Sequence, residues 1–373
     1  MFIPKKILAI KFRSLGDTVL LSSSLEALHK TFPQAEIQVA ALSDYTPVLE
    51  HISYIKKIWP FSFHKNKIIR LKRILQLSNT MKNEKFDTAI SFHASPSSAF
   101  LAFLCGAKNR SIHIHDSSSK HFFSTVHIPD QQSTKSILER DLDAIRAFGV
   151  NIKNAFVPKI ILLDTEKQNA KELLNNLHLS MPFLGLGLGS SRPTKSWPLE
   201  RFALLSVLWC QKTQGSVIAF LSKDEEPLSL VFLKKIEDII QTLITEPAER
   251  AKIRSQIHCK VGISIRSLTA ILSQCSLFLG NDSGPRHIAA AVDTPTVTLF
   301  GPEHPFEWHP YTLSKHFYFF VDNLGCRTNK SNNGDYPWCE LKTCAAYNHQ
   351  CMHKIGVQEV IDACLKQLGS VHE

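Results

Sequence analysis

Short apolar runs alternate with stretches whose apolar residues recur every three or four positions, almost from one end of the chain to the other. Residues 7–10 read as a strand, 22–32 as a helix and 36–42 as a strand. Residues 86–92 form a further strand, followed by an apolar helix at 97–106 and a strand at 110–114. An amphipathic helix spans 133–148, with Ile137, Leu138, Leu142, Ile145 and Phe148 on one face. This alternation predicts a parallel sheet covered on both faces. The pattern then repeats. Strands fall at 183–188, 216–221, 277–280 and 296–300, with helices at 199–211 and 285–291. Between the two series lies 151–181, which carries a polar helical segment at 165–177 and ends at Pro182. The reading is an α/β chain with domains at 1–164 and 182–352. The last stretch, 353–373, is expected to hold a helix at 357–368 that packs back on the first domain. Residues 236–262 look longer and more polar than the second domain needs, and read as an insertion.

A length of 373 residues suits two cores rather than one, and 44% apolar residues exclude a disordered chain. The net charge of +10 calls for an anionic partner. No dense Arg/Lys run with interleaved aromatics and no nucleic-acid module signature occurs, so no nucleic acid is expected. An anionic substrate or membrane surface remains; basic residues concentrate from Lys65 to Lys85, which reads equally as a solvated basic helix face. The longest apolar stretch, 99–107, falls short of the roughly 20 residues of a spanning helix. Residues 7–10 are too short for a signal peptide core, and Lys11 and Arg13 follow at once. A cytoplasmic location is expected, with the nine cysteines as reduced thiols.

Three strand-to-helix turns carry the candidate chemistry. Such a turn aims free backbone N–H groups and the positive end of a helix at whatever sits above the sheet, which suits a phosphate. In the first turn, Arg13-Ser14-Leu15-Gly16-Asp17-Thr18, Asp17 is either a plain helix cap or a general base. In the second, Gly185, Gly187 and Gly189 lead into Ser190, Ser191, Thr194 and Lys195. Ser190 stands where a dinucleotide fingerprint needs its third glycine, so hydroxyls and a lysine for a diphosphate are the better reading. The third is Asn281-Asp282-Ser283-Gly284-Pro285-Arg286-His287. Asp282 caps the helix or holds a ligand hydroxyl, and His287 follows one turn on.

These three blocks, in this order, resemble the bacterial heptosyltransferases of glycosyltransferase family 9. The likeness lies in KFRSLGDTVLLSSSLEALHKTFPQAEI, GLGLGSSRPTKSWPLERFALL and FLGNDSGPRHIAAAVDTPTVTLFGPEHPFEWHPY. It implies a GT-B architecture, two Rossmann-like doubly wound parallel-sheet domains facing across a cleft. The first would bind the acceptor and the second the nucleotide-sugar. It implies an inverting transfer of heptose from ADP-L-glycero-D-manno-heptose to an inner-core lipopolysaccharide acceptor, at the inner face of the cytoplasmic membrane. By matching positions, Asp17 would be the catalytic base. Ser190, Ser191, Thr194 and Lys195 would meet the donor diphosphate, and Asp282, Ser283, Gly284 and His287 would close over diphosphate and sugar. An acidic contact to the ribose is expected from Asp224 or its neighbours Glu225 and Glu226. Arg13, Ser14, Gly16, Lys65, Arg110 and Arg140 are the candidate acceptor contacts. No cofactor is expected, because Lys195 and the helix beginning at Gly284 supply the charge a divalent ion would. Alternatives are a protein side chain as acceptor, a different nucleotide-sugar, or a catalytically silent sugar-nucleotide binding protein.

Three patterns stand apart. Asp141-Leu142-Asp143 resembles a metal-binding D-x-D, yet residues two apart on a helix point about 200° apart and cannot share one ion. His113 and His115 share a strand face but lack a third ligand for zinc. Cys326, Cys339, Cys344 and Cys351 either hold a structural zinc or iron or are simple thiols, while Cys105, Cys210, Cys275 and Cys364 fall in core positions.

Overall fold

In the first domain the central strand carries a continuous apolar run, residues 7–10, because both faces of its sheet are covered. The computed structural model describes residues 3–114, 121–128, 135–327, 329–330, 337–339, 341–346 and 348–369. The chain runs β1 (Lys6–Lys11), α1 (Leu15–Thr31), β2 (Glu36–Leu42), β3 (Ile55–Phe61), α2 (Lys67–Met81), β4 (Thr88–Ser91), α3 (Pro96–Leu104), β5 (Asn109–Ile112) and α4 (Ile137–Arg146). The five strands are parallel in the order β3-β2-β1-β4-β5. Ile7, Leu8, Ala9 and Ile10 of β1 are fully buried at the centre. Strand β3 escapes the sequence reading, and α1 is longer than that reading made it. Strand β3 lies at the sheet edge, where Lys56, Lys57 and Pro60 interrupt the apolar pattern and where proline is tolerated. Helix α1 begins well before residue 22 because Ser14 caps it. Its polar Ser22 and Ser24 are nevertheless buried, donating to the Val19 carbonyl at 2.7 Å and to Asp141 at 3.3 Å.

The second domain repeats the design. It contains α5 (Asp164–Asn176), β6 (Phe183–Gly187), α6 (Leu199–Thr213), β7 (Ser216–Leu221), α7 (Glu226–Leu243), α8 (Pro247–Ser255), β8 (Ile257–Val261), α9 (Ile265–Leu272), β9 (Leu277–Asn281), α10 (Gly284–Ala291) and β10 (Thr296–Phe300). A single turn α11 (Pro305–Trp308), β11 (His316–Phe320), α12 (Gln350–His353) and α13 (Val357–Gly369) follow. The six strands are parallel in the order β11-β10-β9-β6-β7-β8. In both sheets the domain's first strand is central, two strands extend to one side, and the chain then crosses to the other. Ligands of open α/β sheets bind at that reversal, beyond the strand carboxyl ends. The reversals fall between β1 and β4 and between β6 and β9.

Three expectations are corrected. The supposed insertion at 236–262 is the end of α7, then α8 and β8, all regular parts of the second domain. It looks superfluous in sequence because α8 buries only Ile253 and β8 is an edge strand. Helix α13 was expected against the first domain; its Val360, Ile361 and Cys364 instead belong to the second domain's core, with α6. The segment Phe306–Pro310, read as part of the second domain, groups with the first. The polar helix α5 belongs to the second domain, where Glu166 pairs with Arg266 of α9.

Candidate active site

The first reversal point is occupied by charge. Strand β1 ends in Lys11, which is fully buried. Its Nζ lies 2.5 Å from Asp141 of α4, itself 3% exposed. Six residues further, Asp17 sits in the first turn of α1 at 6% exposure. Ser14 Oγ donates to Asp17 Oδ2 at 2.5 Å, and the Asp17 N–H donates to Ser14 Oγ at 3.4 Å. Arg13 Nε lies 3.3 Å from the same carboxylate oxygen. The other oxygen, Oδ1, is buried without a hydrogen-bond partner among the described residues. Burial alone would push the Asp17 pKa up. Arg13, Lys11, the Ser14 hydroxyl and His93 outweigh it and hold the carboxyl below its ordinary value. An ionised, desolvated carboxylate with one oxygen unused is what a general base requires.

The remaining acceptor candidates divide. Arg140 is 7% exposed and lies 3.8 Å from Glu307. Arg13 and Arg140 each stand 5.3 Å over the ring of Trp308, so the Phe306–Pro310 segment joins the Asp17 neighbourhood. Nothing in the hydrophobic pattern signals this. Gly16 is buried, and Lys65 is exposed in the loop before α2. Arg110 differs from expectation: its guanidinium donates to the carbonyls of Phe123 at 2.7 Å and Ala107 at 2.6 Å, which fixes the chain beside β5. Asp141 and Asp143 diverge as helix geometry requires, Asp141 to Lys11 and Asp143 to Lys135 at 2.8 Å and Arg146 at 2.9 Å. His115 lies outside the described residues, and β5 ends before His113.

The Lys11–Asp141 pair was not anticipated. Removing one partner of a buried pair leaves an uncompensated charge. Lys11→Met is therefore expected to lower unfolding stability by about 3–5 kcal/mol. Lys11→Met/Asp141→Asn should recover most of that loss, as urea midpoints would show. Because Lys11 helps hold the Asp17 pKa down, Lys11→Met should also move the acid limb of the pH–rate profile upward. An unmoved limb would mean that Lys11 does not act on the base.

At the second reversal point, β6 runs into a turn in which Lys195 is 8% exposed. Lys195 Nζ lies 2.6 Å from Asp282 Oδ2 and 3.3 Å from Glu303 Oε2. Arg286 of α10 reaches Asp282 Oδ1 through Nε at 2.9 Å and through its terminal nitrogen at 2.6 Å. Arg192 pairs with Glu303. Burial raises the Glu303 carboxyl and Asp282 adds to that rise, which Lys195 and Arg192 offset only in part, whereas Lys195 and Arg286 overcome burial to hold Asp282 low. Burial disfavours the Lys195 ammonium, but Asp282 and Glu303 more than restore it. Three cations thus face two carboxylates, and the surplus positive charge suits an anion. Glu303, Arg192 and Arg286 were missed in sequence because Glu303 is far from the turn glycines, Arg286 lies on a helix face, and Arg192 stands among turn hydroxyls that drew the attention instead.

Other expected donor residues have other partners. Ser190 Oγ donates to the Arg192 carbonyl at 2.6 Å, and Thr194 Oγ1 to the Leu341 carbonyl at 2.7 Å. Both hydroxyls brace the turn, while Ser191 is exposed. Ser283 is the N-cap of α10, and Gly284 begins the helix. Asp282 therefore orients Lys195 and Arg286 rather than capping. His287 is 5% exposed and its Nδ1 lies 2.6 Å from the Tyr311 hydroxyl. Asn281, given no role in the sequence reading, fastens the turn: its Oδ1 accepts from the Trp197 N–H at 2.9 Å and its Nδ2 donates to the Leu188 carbonyl at 2.8 Å.

Of the three acids after β7, Asp224 and Glu226 are exposed. Glu225 folds against the phosphate-type turn, so that a Cβ on Gly189 would overlap its carboxylate. It also accepts from the Ser222 N–H at 2.9 Å and Ser222 hydroxyl at 2.8 Å. Gly189→Ala should displace this flexible side chain without unfolding the domain. The expected result is a higher KM for the donor with an unchanged melting temperature; an unchanged KM would remove Glu225 from the donor site.

The nine cysteines are free thiols, with Cys105, Cys210, Cys275 and Cys364 buried as expected. Cys351 lies within electrostatic reach of Cys326, Cys339 and Cys344, and burial above all raises its thiol to about 11. Among the described residues, no group of three or more His, Cys, Asp or Glu side chains is arranged to hold a metal.

Two parallel α/β domains of this strand order make up the GT-B fold. The family model for glycosyltransferase family 9 (heptosyltransferase) matches residues 74–336, and the chain belongs to that family. Lipooligosaccharide heptosyltransferase 2 of Campylobacter jejuni is 25% identical over 362 residues, covering 96% of this chain and 97% of its own. A family 9 glycosyltransferase structure from Veillonella parvula superposes with a TM-score of 0.77 at 20% identity, covering 99% of this chain and 98% of the other. The ADP-heptose lipopolysaccharide heptosyltransferase II of Escherichia coli superposes with a TM-score of 0.72 at 19% identity, covering 99% and 100%. No helix among the described residues is long and apolar enough to cross a membrane.

Proposed function

We propose that this chain transfers heptose from ADP-L-glycero-D-manno-heptose to an inner-core lipopolysaccharide acceptor, with inversion at the anomeric carbon. The observation that carries the reading is the buried, ionised Asp17 with its unpartnered Oδ1. Asp17 takes the proton of the acceptor hydroxyl. The hydroxyl oxygen bonds to the anomeric carbon from the face opposite the diphosphate, and the bond from that carbon to the phosphate oxygen breaks. Opposite-face attack inverts the centre, as it does when water attacks in inverting glycosidases. ADP departs carrying the negative charge. Lys195, held by Asp282 and Glu303, and the N-terminal turn of α10 receive that charge. Glu225 is the acid proposed for the ribose, and Ser191 and Ser283 are proposed beside the diphosphate. Arg13 and Arg140 supply positive charge for an acidic sugar or phosphate on the acceptor. A lipid-linked acceptor places the enzyme at the inner face of the cytoplasmic membrane.

Calorimetry comparing ADP-heptose with UDP- and GDP-sugars tests the donor. Preference for ADP-heptose supports the reading. Preference for another nucleotide overturns the donor assignment while leaving the family intact.

A further inference from the structure

Helix α2 carries two apolar stripes. One contains Ile74 and Met81, which are buried in the first domain's core, with Leu77 packed beside them. The other, Ile68, Leu71 and Leu75, recurs at spacings of three and four and so shares one side of the helix. Its members are 67%, 45% and 45% exposed. Phe63, just before the helix, is 52% exposed. A surface helix ordinarily puts polar residues on its outer side, and a contiguous apolar outer face marks an interaction site.

The charge around this face is of one sign. No acidic residue occurs anywhere from residue 51 to residue 83. Lys67 and Lys72 are exposed beside the apolar stripe, and neither makes an ion pair among the described residues. Apolar side chains flanked by cations on one helix match the boundary between acyl chains and anionic headgroups. A second copy of the chain would bring two such cationic faces together, which opposes self-association. A nucleic acid would leave the aliphatic stripe without a partner.

We propose that this outer face of α2 docks the first domain on an anionic lipid bilayer. Phe63, Ile68, Leu71 and Leu75 enter the headgroup–acyl boundary, and Lys67 and Lys72 lie among the anionic headgroups. The inference rests on the lipid-linked acceptor reading for its partner, but α2 itself is indifferent to which sugar is transferred.

The test is co-sedimentation of the full chain with phosphatidylglycerol–phosphatidylethanolamine vesicles and with pure phosphatidylcholine vesicles. Binding to the first and not the second is expected. Lys67→Ser/Lys72→Ser should weaken binding about 30-fold, following the usual contribution of two cations at a charged surface. Ile68→Ser/Leu71→Ser/Leu75→Ser should weaken it at high salt, where headgroup attraction is screened. Both variants should keep full transfer to a delipidated, water-soluble acceptor. Absence of vesicle binding, or equal binding by the variants, overturns the proposal. Loss of transfer to the soluble acceptor would reassign this face to acceptor recognition. Conversion of a dimer to a monomer by the apolar variant would reassign it to self-association. If no heptose transfer is found with any acceptor while vesicle binding follows the variants, the docking surface stands and the catalytic reading fails.

Discussion

Asp17→Asn is expected to slow sugar transfer by about 10²–10⁴-fold, the usual contribution of a positioned general base, while donor binding stays within a few-fold of native. The substitution keeps the shape of the side chain and its backbone N–H. Ser14 can still cap α1, since the cap bond runs from the residue 17 N–H to Ser14 Oγ. Ser14 Oγ can likewise donate to an amide oxygen where it now donates to Oδ2. Lys11 keeps Asp141, so no buried cation is stranded. Arg13 loses its partner, but it is one-third exposed and water can replace the carboxylate. The fold should therefore survive, and the loss should appear in kcat rather than in the melting temperature. Single-turnover transfer together with ADP-heptose calorimetry makes the measurement. Transfer within tenfold of native would remove Asp17 from the chemistry.

Lys195→Met should lower kcat by about 10²–10³-fold, comparable to the loss of one preorganised donor to a developing anion, and should also weaken ADP. The cluster then holds two cations and two carboxylates, so its surplus charge disappears. Each acid retains a partner, Asp282 in Arg286 and Glu303 in Arg192, and neither is left as an isolated buried charge. For that reason the stability loss should be smaller than the roughly 3–5 kcal/mol of a fully stranded buried ion. Lys195→Arg should keep ADP affinity but recover only part of kcat, because a planar guanidinium cannot occupy the place of a compact ammonium between Asp282 and Glu303. Unchanged ADP affinity in Lys195→Met would show that the diphosphate is held elsewhere.

Much of this was legible in the chain. The central strands of both sheets are mostly apolar because helices cover both faces, so β1, β6, β9 and β10 declare themselves. The turns after β1, β6 and β9 are visible because tight strand-to-helix turns need small residues and helix starts favour hydroxyls, acids and proline. Edge elements were not legible. Strands β3 and β8 and helix α8 bury little, so their sequences carry little periodicity.

What the sequence determined by itself was local: which segments pair as strand and helix, where turns fall, and which turns carry Asp17, Lys195 and Asp282. Only the tertiary structure decided which distant groups share a site. Lys11 and Asp141 are 130 positions apart, yet they meet at 2.5 Å. Glu303 joins Lys195, Trp308 joins Arg13 and Arg140, and α13 joins the second core. Periodicity reports how one segment meets solvent or core. Long-range charge pairing is set by strand order and crossover, which bring the ends of β1 and β6 beside residues that no local pattern relates to them.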